Sequence, residues 1–205
     1  MSTESTRVGV VGLGYVGLPL ALAMSQAGYD VVGVDVDEST IERLRNGDST
    51  VNDVSDRELA DALGSGVEFT TDYEALADVD GVSICVPTPL RKSGSPDLSF
   101  VLDAAERLSA IVPAGCTVVL ESTVYPGATE EVVGEALTAN GATIGEDVFL
   151  AFSPERIDPG NEAYGPTDIP KVLGGVTDAC GDRAEALYEP VFDEVVRVGS
   201  ATEAE

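Results

Sequence analysis

The stretch with the plainest chemical capacity is Gly12-Leu13-Gly14-Tyr15-Val16-Gly17. Glycines at this spacing allow a tight turn at Gly12, close backbone approach to a pyrophosphate at Gly14, and close helix–strand packing at Gly17. The N–H groups of a helix opening at Tyr15, Val16 and Gly17 would hold the phosphates. Asp35 stands 18 residues beyond Gly17, at the end of a second apolar run. Its carboxylate would accept hydrogen bonds from an adenosine ribose and repel a 2′-phosphate, and Val36-Asp37-Glu38 supplies no arginine to bind one. The pattern favours NAD over NADP. A ligand-free glycine turn and a flavin nucleotide share the fingerprint and stand beside that reading.

Composition narrows the remaining chemistry. The 205 residues contain no histidine, which removes Ser-His and Cys-His dyads and imidazole-ligated metals. Acidic residues number 37 against 11 basic ones, a formal charge of −26 that argues against nucleic-acid partners. Only Lys92 and Lys171 are lysines; the pattern resembles a halophilic protein, with a merely acidic mesophilic one as the alternative. Cys85, Cys116 and Cys180 are scattered without a CxxC pair, which fits reduced, buried thiols in a cytoplasmic protein and no metal site. No apolar run reaches the roughly 18 to 20 residues of a membrane helix, and residues 1–6 read as a disordered polar tail rather than a signal peptide.

The elements that must position these residues alternate. Strands are expected at Arg7–Gly12, Asp30–Asp35, Val67–Thr71, Gly81–Val86, Thr117–Glu121, Val148–Phe152, Lys171–Leu173 and Glu194–Val198. Helical periodicity falls at Val16–Ala27, Glu38–Arg45, Glu58–Leu63, Leu98–Ala110, Ala128–Ala139 and Ala179–Leu187, with a helical turn at Tyr73–Ala77. Strand and helix alternating over short connections implies an α/β, Rossmann-like doubly wound, mostly parallel sheet with helices on both faces. Arg91–Asp97 and Asp158–Pro170 read as mobile loops, and residues 200–205 as a C-terminal tail.

Four motifs now occur in order. They are Gly12 to Pro19 (GLGYVGLP), Val86-Pro87-Thr88-Pro89, Glu121 to Gly127 (ESTVYPG) and Phe152 to Asn161 (FSPERIDPGN). Together they resemble the NAD-binding domain of the UDP-glucose/GDP-mannose dehydrogenase family over residues 7–199. The last two resemble most the branch acting on UDP-N-acetylhexosamines.

The resemblance implies oxidation of a UDP-sugar C6 alcohol to a carboxylate with two NAD, through a cysteine thiohemiacetal and thioester. It implies that Pro87 and Thr88 lie against the cofactor, and that Thr123 orients a water or the C6 oxygen beside the nicotinamide. It further implies that Glu155 helps activate water for thioester hydrolysis, and that Arg156 offsets phosphate or product charge. Without the family, Thr88 and Thr123 read as turn chemistry beside proline and Glu155 as a solvated loop carboxylate.

Family members run to roughly twice this length. Their central helices, catalytic lysine, asparagine and cysteine, and much of their homo-oligomer contact, are expected beyond residue 205. Lys171, in a strand context, does not match the family's lysine, and none of the three cysteines stands in a nucleophile context. The expectation is a chain that binds NAD and is inactive alone, as a truncated part or one needing a partner chain. A non-catalytic NAD-binding module and a UDP-glucose 6-dehydrogenase are the alternatives. The apolar face left for the absent helices would make the isolated chain marginally stable, especially below molar salt.

Overall fold

The structure is a computed structural model and describes residues 6–92, 94–155 and 169–205. The first half runs β1 (Arg7–Val11), α1 (Gly17–Gln26), β2 (Asp30–Val34), α2 (Glu38–Arg45), α3 (Asp56–Gly64), β3 (Glu68–Thr70), a 3-10 turn (Tyr73–Leu76) and β4 (Gly81–Ile84). Then come α4 (Ser99–Ile111), β5 (Thr117–Leu120), a π-helical segment (Thr129–Gly134) continuous with α5 (Glu135–Thr138), and β6 (Phe149–Phe152). β7 (Lys171–Gly175), α6 (Asp178–Tyr188), β8 (Val195–Arg197) and α7 (Ala201–Ala204) complete the described elements.

The strands form one sheet in the order β3-β2-β1-β4-β5-β6-β7-β8. Their near-continuous apolar runs follow from burial on both faces, the condition of a parallel sheet. Alternate side chains feed two cores. Val8, Val10, Val31 and Val119 pack with α1, α3 and α6 on one face. Val11, Val34, Val118 and Leu120 pack with the 3-10 turn, α4 and the π-helical segment on the other. Helix starts are fixed locally: Asp37 caps α2, and Ser55 with Glu58 forms a capping box at α3. The doubly wound, mostly parallel architecture expected from the alternation is the one observed, and strand order reverses between β1 and β4. That reversal opens a crevice at the carboxyl ends of the strands.

Three features depart from the sequence reading or refine it. β7 runs antiparallel to β6, so Lys171, at its start, lies at the carboxyl edge of the sheet. Residues 200–205 are no loose tail: Ser200 caps α7, Ala201 and Ala204 are buried, and Glu205 accepts hydrogen bonds from the Gly127 and Thr129 amides and the Thr129 hydroxyl. The missed signal was Ser200-x-x-Glu203, whose glutamate takes the Gly199 amide in return at 2.7 Å. The Arg91–Asp97 connection is closed by an Arg91–Asp97 ion pair at 2.8 Å and a Leu90–Pro96 bridge. Most of the Asp158–Pro170 stretch lies outside the described residues.

Candidate functional site

The glycine turn sits on the β1/β4 crevice, and Gly12 and Gly17 within it cannot be exchanged for larger residues. Gly12 has φ +91°, and a Cβ there would lie 2.8 Å from the Cys85 carbonyl oxygen. A Cβ on Gly17 would fall 1.8 Å from the Gly12 carbonyl oxygen, so the first turn of α1 seats directly on the loop. A Cβ on Gly14 would meet no protein atom within 4 Å, which leaves its backbone open to a ligand. No side chain caps α1; Leu18 and Leu20 bond back to the Gly14 and Val16 carbonyls and Pro19 has no N–H, which leaves the amides of the turn before them for a ligand. Tyr15 beside them is 59% exposed and Val16 half-buried.

Asp35 follows β2 and closes the arrangement. Its carboxylate accepts the Leu13 amide at 2.8 Å through one oxygen and the Asp37 amide at 3.0 Å through the other. Each oxygen keeps further lone-pair capacity for a ribose hydroxyl. The two bonds hold the carboxylate beside the glycine turn. These residues therefore fit a dinucleotide with an unphosphorylated ribose.

The remaining sequence-nominated residues line the same edge. Pro87 and Thr88 follow β4, exposed and half-buried respectively. Thr123 follows β5 and is exposed. Ser122, just before it, donates to the Val86 carbonyl at 2.6 Å and so ties the β4 and β5 ends together. Glu155 lies beyond β6, half-buried. Ser153 holds that segment in place, its amide bonded to the Leu120 carbonyl at 3.0 Å and its hydroxyl to the Val172 carbonyl at 2.8 Å. The fold thus brings Gly12, Gly14, Gly17, Asp35, Thr88, Thr123 and Glu155 to one edge, from five different strands. Arg156 lies outside the described residues.

A buried polar cluster beneath this edge escaped the sequence reading. Lys171 Nζ donates to Glu121 at 2.5 Å, with both side chains almost wholly buried. The Tyr188 hydroxyl donates to the other Glu121 oxygen, and Ser83 Oγ lies 2.9 Å from the Tyr188 oxygen. Glu155 approaches the same ammonium at 3.9 Å. Burial works to lower the Lys171 pKa, but the facing Glu121 and Glu155 carboxylates more than offset it, so the ammonium stays charged above the ordinary lysine range. Burial, with a smaller push from the Glu155 charge, moves the Glu121 carboxyl up against the pull of Lys171 and the Tyr188 hydroxyl. The available signal was a glutamate closing the apolar run TVVLE and a rare lysine opening another, KVLGG.

All three cysteines are buried; burial pushes Cys116 up to about 12 and Cys85 well above the ordinary thiol value. Among the described residues, no His, Cys, Asp and Glu cluster is placed to hold a metal ion. No helix of the described residues is long and apolar enough to cross a membrane.

Comparison with known proteins agrees with this geometry. Residues 6–192 match the model of the UDP-glucose/GDP-mannose dehydrogenase family NAD-binding domain. The chain is 40% identical over 196 residues to protein CapL of Staphylococcus aureus, covering 95% of this chain and 45% of that protein. It is 38% identical to UDP-N-acetyl-D-glucosamine 6-dehydrogenase of Pseudomonas aeruginosa, over 92% of this chain and 44% of the relative. The solved structure of a UDP-D-ManNAc dehydrogenase from Pyrococcus horikoshii superposes with a TM-score of 0.90 at 32% identity, covering 97% of this chain and 48% of the other. The chain thus spans about half the length of the relatives it matches. A glycine turn, an Asp35 carboxylate bonded to the Leu13 amide of that turn and a family match across the same sheet make one conclusion: the chain belongs to the UDP-glucose/GDP-mannose dehydrogenase family and carries its NAD-binding domain.

Proposed function

We propose that this chain is the cofactor-binding part of an enzyme that oxidises the C6 alcohol of a UDP-N-acetylhexosamine to the uronate in two NAD-dependent steps. The observation that carries this reading is the gathering of Asp35, Thr88, Thr123 and Glu155 with the glycine turn at one sheet edge, in a chain whose relatives include dehydrogenases of such sugars. Bound NAD supplies the hydride acceptor. Gly14, Tyr15, Val16 and Gly17 offer backbone amides to its pyrophosphate, Gly12 makes the turn with its own amide held by the Val34 carbonyl, and Asp35 takes the ribose hydroxyls. Pro87 and Thr88 border the cofactor at the end of β4.

Thr123 orients the C6 oxygen or a water by hydrogen bonding. Glu155 takes a proton from the attacking water during hydrolysis of the acyl intermediate. With Cys85, Cys116 and Cys180 all buried, the thiol that captures the aldehyde comes from outside these 205 residues, in a continuing chain or a partner. The reading places the reaction in the cytoplasm, with the assembled enzyme a homo-oligomer.

The test follows NADH formation by absorbance in a preparation where this chain is joined to the polypeptide that supplies the thiol. UDP-N-acetylglucosamine, UDP-N-acetylmannosamine and UDP-glucose are offered in parallel. Two NADH per acetylamino sugar, cut about 100-fold or more by Thr123→Ala or Glu155→Gln, supports the assignment. Preferred oxidation of UDP-glucose, or full turnover by either variant, overturns it.

A further inference from the structure

Lys171 has no part in the chemistry described so far, yet it is the one buried cation of the carboxyl edge among the described residues. Its backbone amide is fixed to the Glu194 carbonyl at 2.8 Å, and its side chain is 6% exposed. The ammonium meets Glu121 on the core side at 2.5 Å and Glu155 on the solvent side at 3.9 Å. The Tyr188 and Phe192 rings flank it, with centroids 5.6 and 5.2 Å from Nζ. A cation so enclosed has carboxylates and ring faces as neighbours where an exposed lysine would have water, and its attraction for each carboxylate is little screened.

Glu155 stands two residues beyond Ser153, half-buried, and a glutamate side chain has several rotamers to choose from. The fixed charge favours those that keep the carboxylate beside Nζ, at the 3.9 Å observed. Glu121 fixes the cation in turn. We propose that Lys171 is a positioning residue: clamped by Glu121, its ammonium holds the Glu155 carboxylate in place at the sheet edge. The proposal rests on the reading of Glu155 as the group that activates water. It adds that the arrangement depends on a charge delivered from β7, the strand that enters the sheet antiparallel.

The test uses the full chain and needs no turnover. Nitrogen-15 NMR of the lysine ammonium groups is recorded for the wild type and for Glu155→Gln, with Glu131→Gln as a control on an unconnected surface carboxylate. The expected result is a Lys171 signal displaced by more than its linewidth in Glu155→Gln and unmoved in Glu131→Gln. A Lys171 signal unmoved by Glu155→Gln overturns the proposal.

In parallel, infrared spectra of chain labelled with carbon-13 at the glutamate carboxylates identify the Glu155 band as the one lost in Glu155→Gln. That band should shift when Lys171→Met is combined with Glu121→Gln, which removes both charges of the buried pair together. An unchanged band in that folded double variant is the second result that would refute it. Should the double variant fail to fold, the NMR comparison decides alone. Both readouts are separate from the oxidation reading, which fails instead if Glu155→Gln leaves NADH formation unchanged.

Discussion

Asp35 and Lys171 show how differently two single charges can be used. Asp35 lies at the surface and organises the glycine turn through the Leu13 and Asp37 amides before any nucleotide arrives. In the proposed cofactor site its substitution by alanine would remove a charge-assisted bond to the ribose, worth about 1.5–3 kcal/mol, so NAD affinity should fall roughly 10- to 100-fold by calorimetry. Lys171 is buried, and removing it leaves Glu121 charged in the core. Lys171→Met should therefore destabilise the chain by about 3–5 kcal/mol in denaturant unfolding, and adding Glu121→Gln should restore most of that loss. A single variant as stable as the wild type would mean that the pair carries no such strain. Of these two charges, Asp35 was legible because its position relative to the glycines is set by one β-α-β unit. The Glu121–Lys171 pair was not, since residues 50 apart in sequence meet only through the antiparallel entry of β7.

The strands and helices themselves were largely readable, because each is specified locally. Buried strands announce themselves as apolar runs, and helix starts as Asp37, Ser55 and Thr177 caps. The direction of β7 leaves no such mark, and α7 hides in a four-residue segment where the Ser200 cap is the main sign. Two substitutions test the local logic. Ser55→Ala removes one arm of the α3 capping box and should cost about 1 kcal/mol with no change in NAD affinity. Gly17→Ala forces a methyl against the Gly12 carbonyl, and because the loop and α1 must then separate, it should both destabilise the chain by roughly 1–3 kcal/mol and abolish measurable NAD binding. Retained affinity in Gly17→Ala would show that the cradle tolerates a wider helix–loop spacing than the geometry implies.

The whole molecule carries a formal charge of −26 on 205 residues, and self-repulsion should govern its stability. Screening shortens from about 10 Å at 0.1 M salt to about 3 Å at 1 M, so the melting temperature should climb by about 10 °C or more on moving into molar KCl. A Tm indifferent to salt would refute the halophilic reading. Alkali acts through burial instead. Cys116 is pushed from 9.0 up to about 12 and Tyr73 from 10.0 up to about 12, in both cases mainly by burial. Both keep their protons in the folded chain at pH values where the unfolded chain has lost them. Their contribution is complete below pH 9 and is lost as pH rises from 9 to about 12, so the denaturant midpoint in high salt should fall steadily across that window. The central claim concerns the nucleotide, and calorimetric titration of NAD and NADP into the chain in multimolar KCl tests it most directly. Saturable NAD binding, with NADP weaker by at least about 10-fold and Asp35→Ala erasing that preference, is the outcome this geometry requires. A folded chain that binds neither nucleotide, or binds both alike, would contradict it.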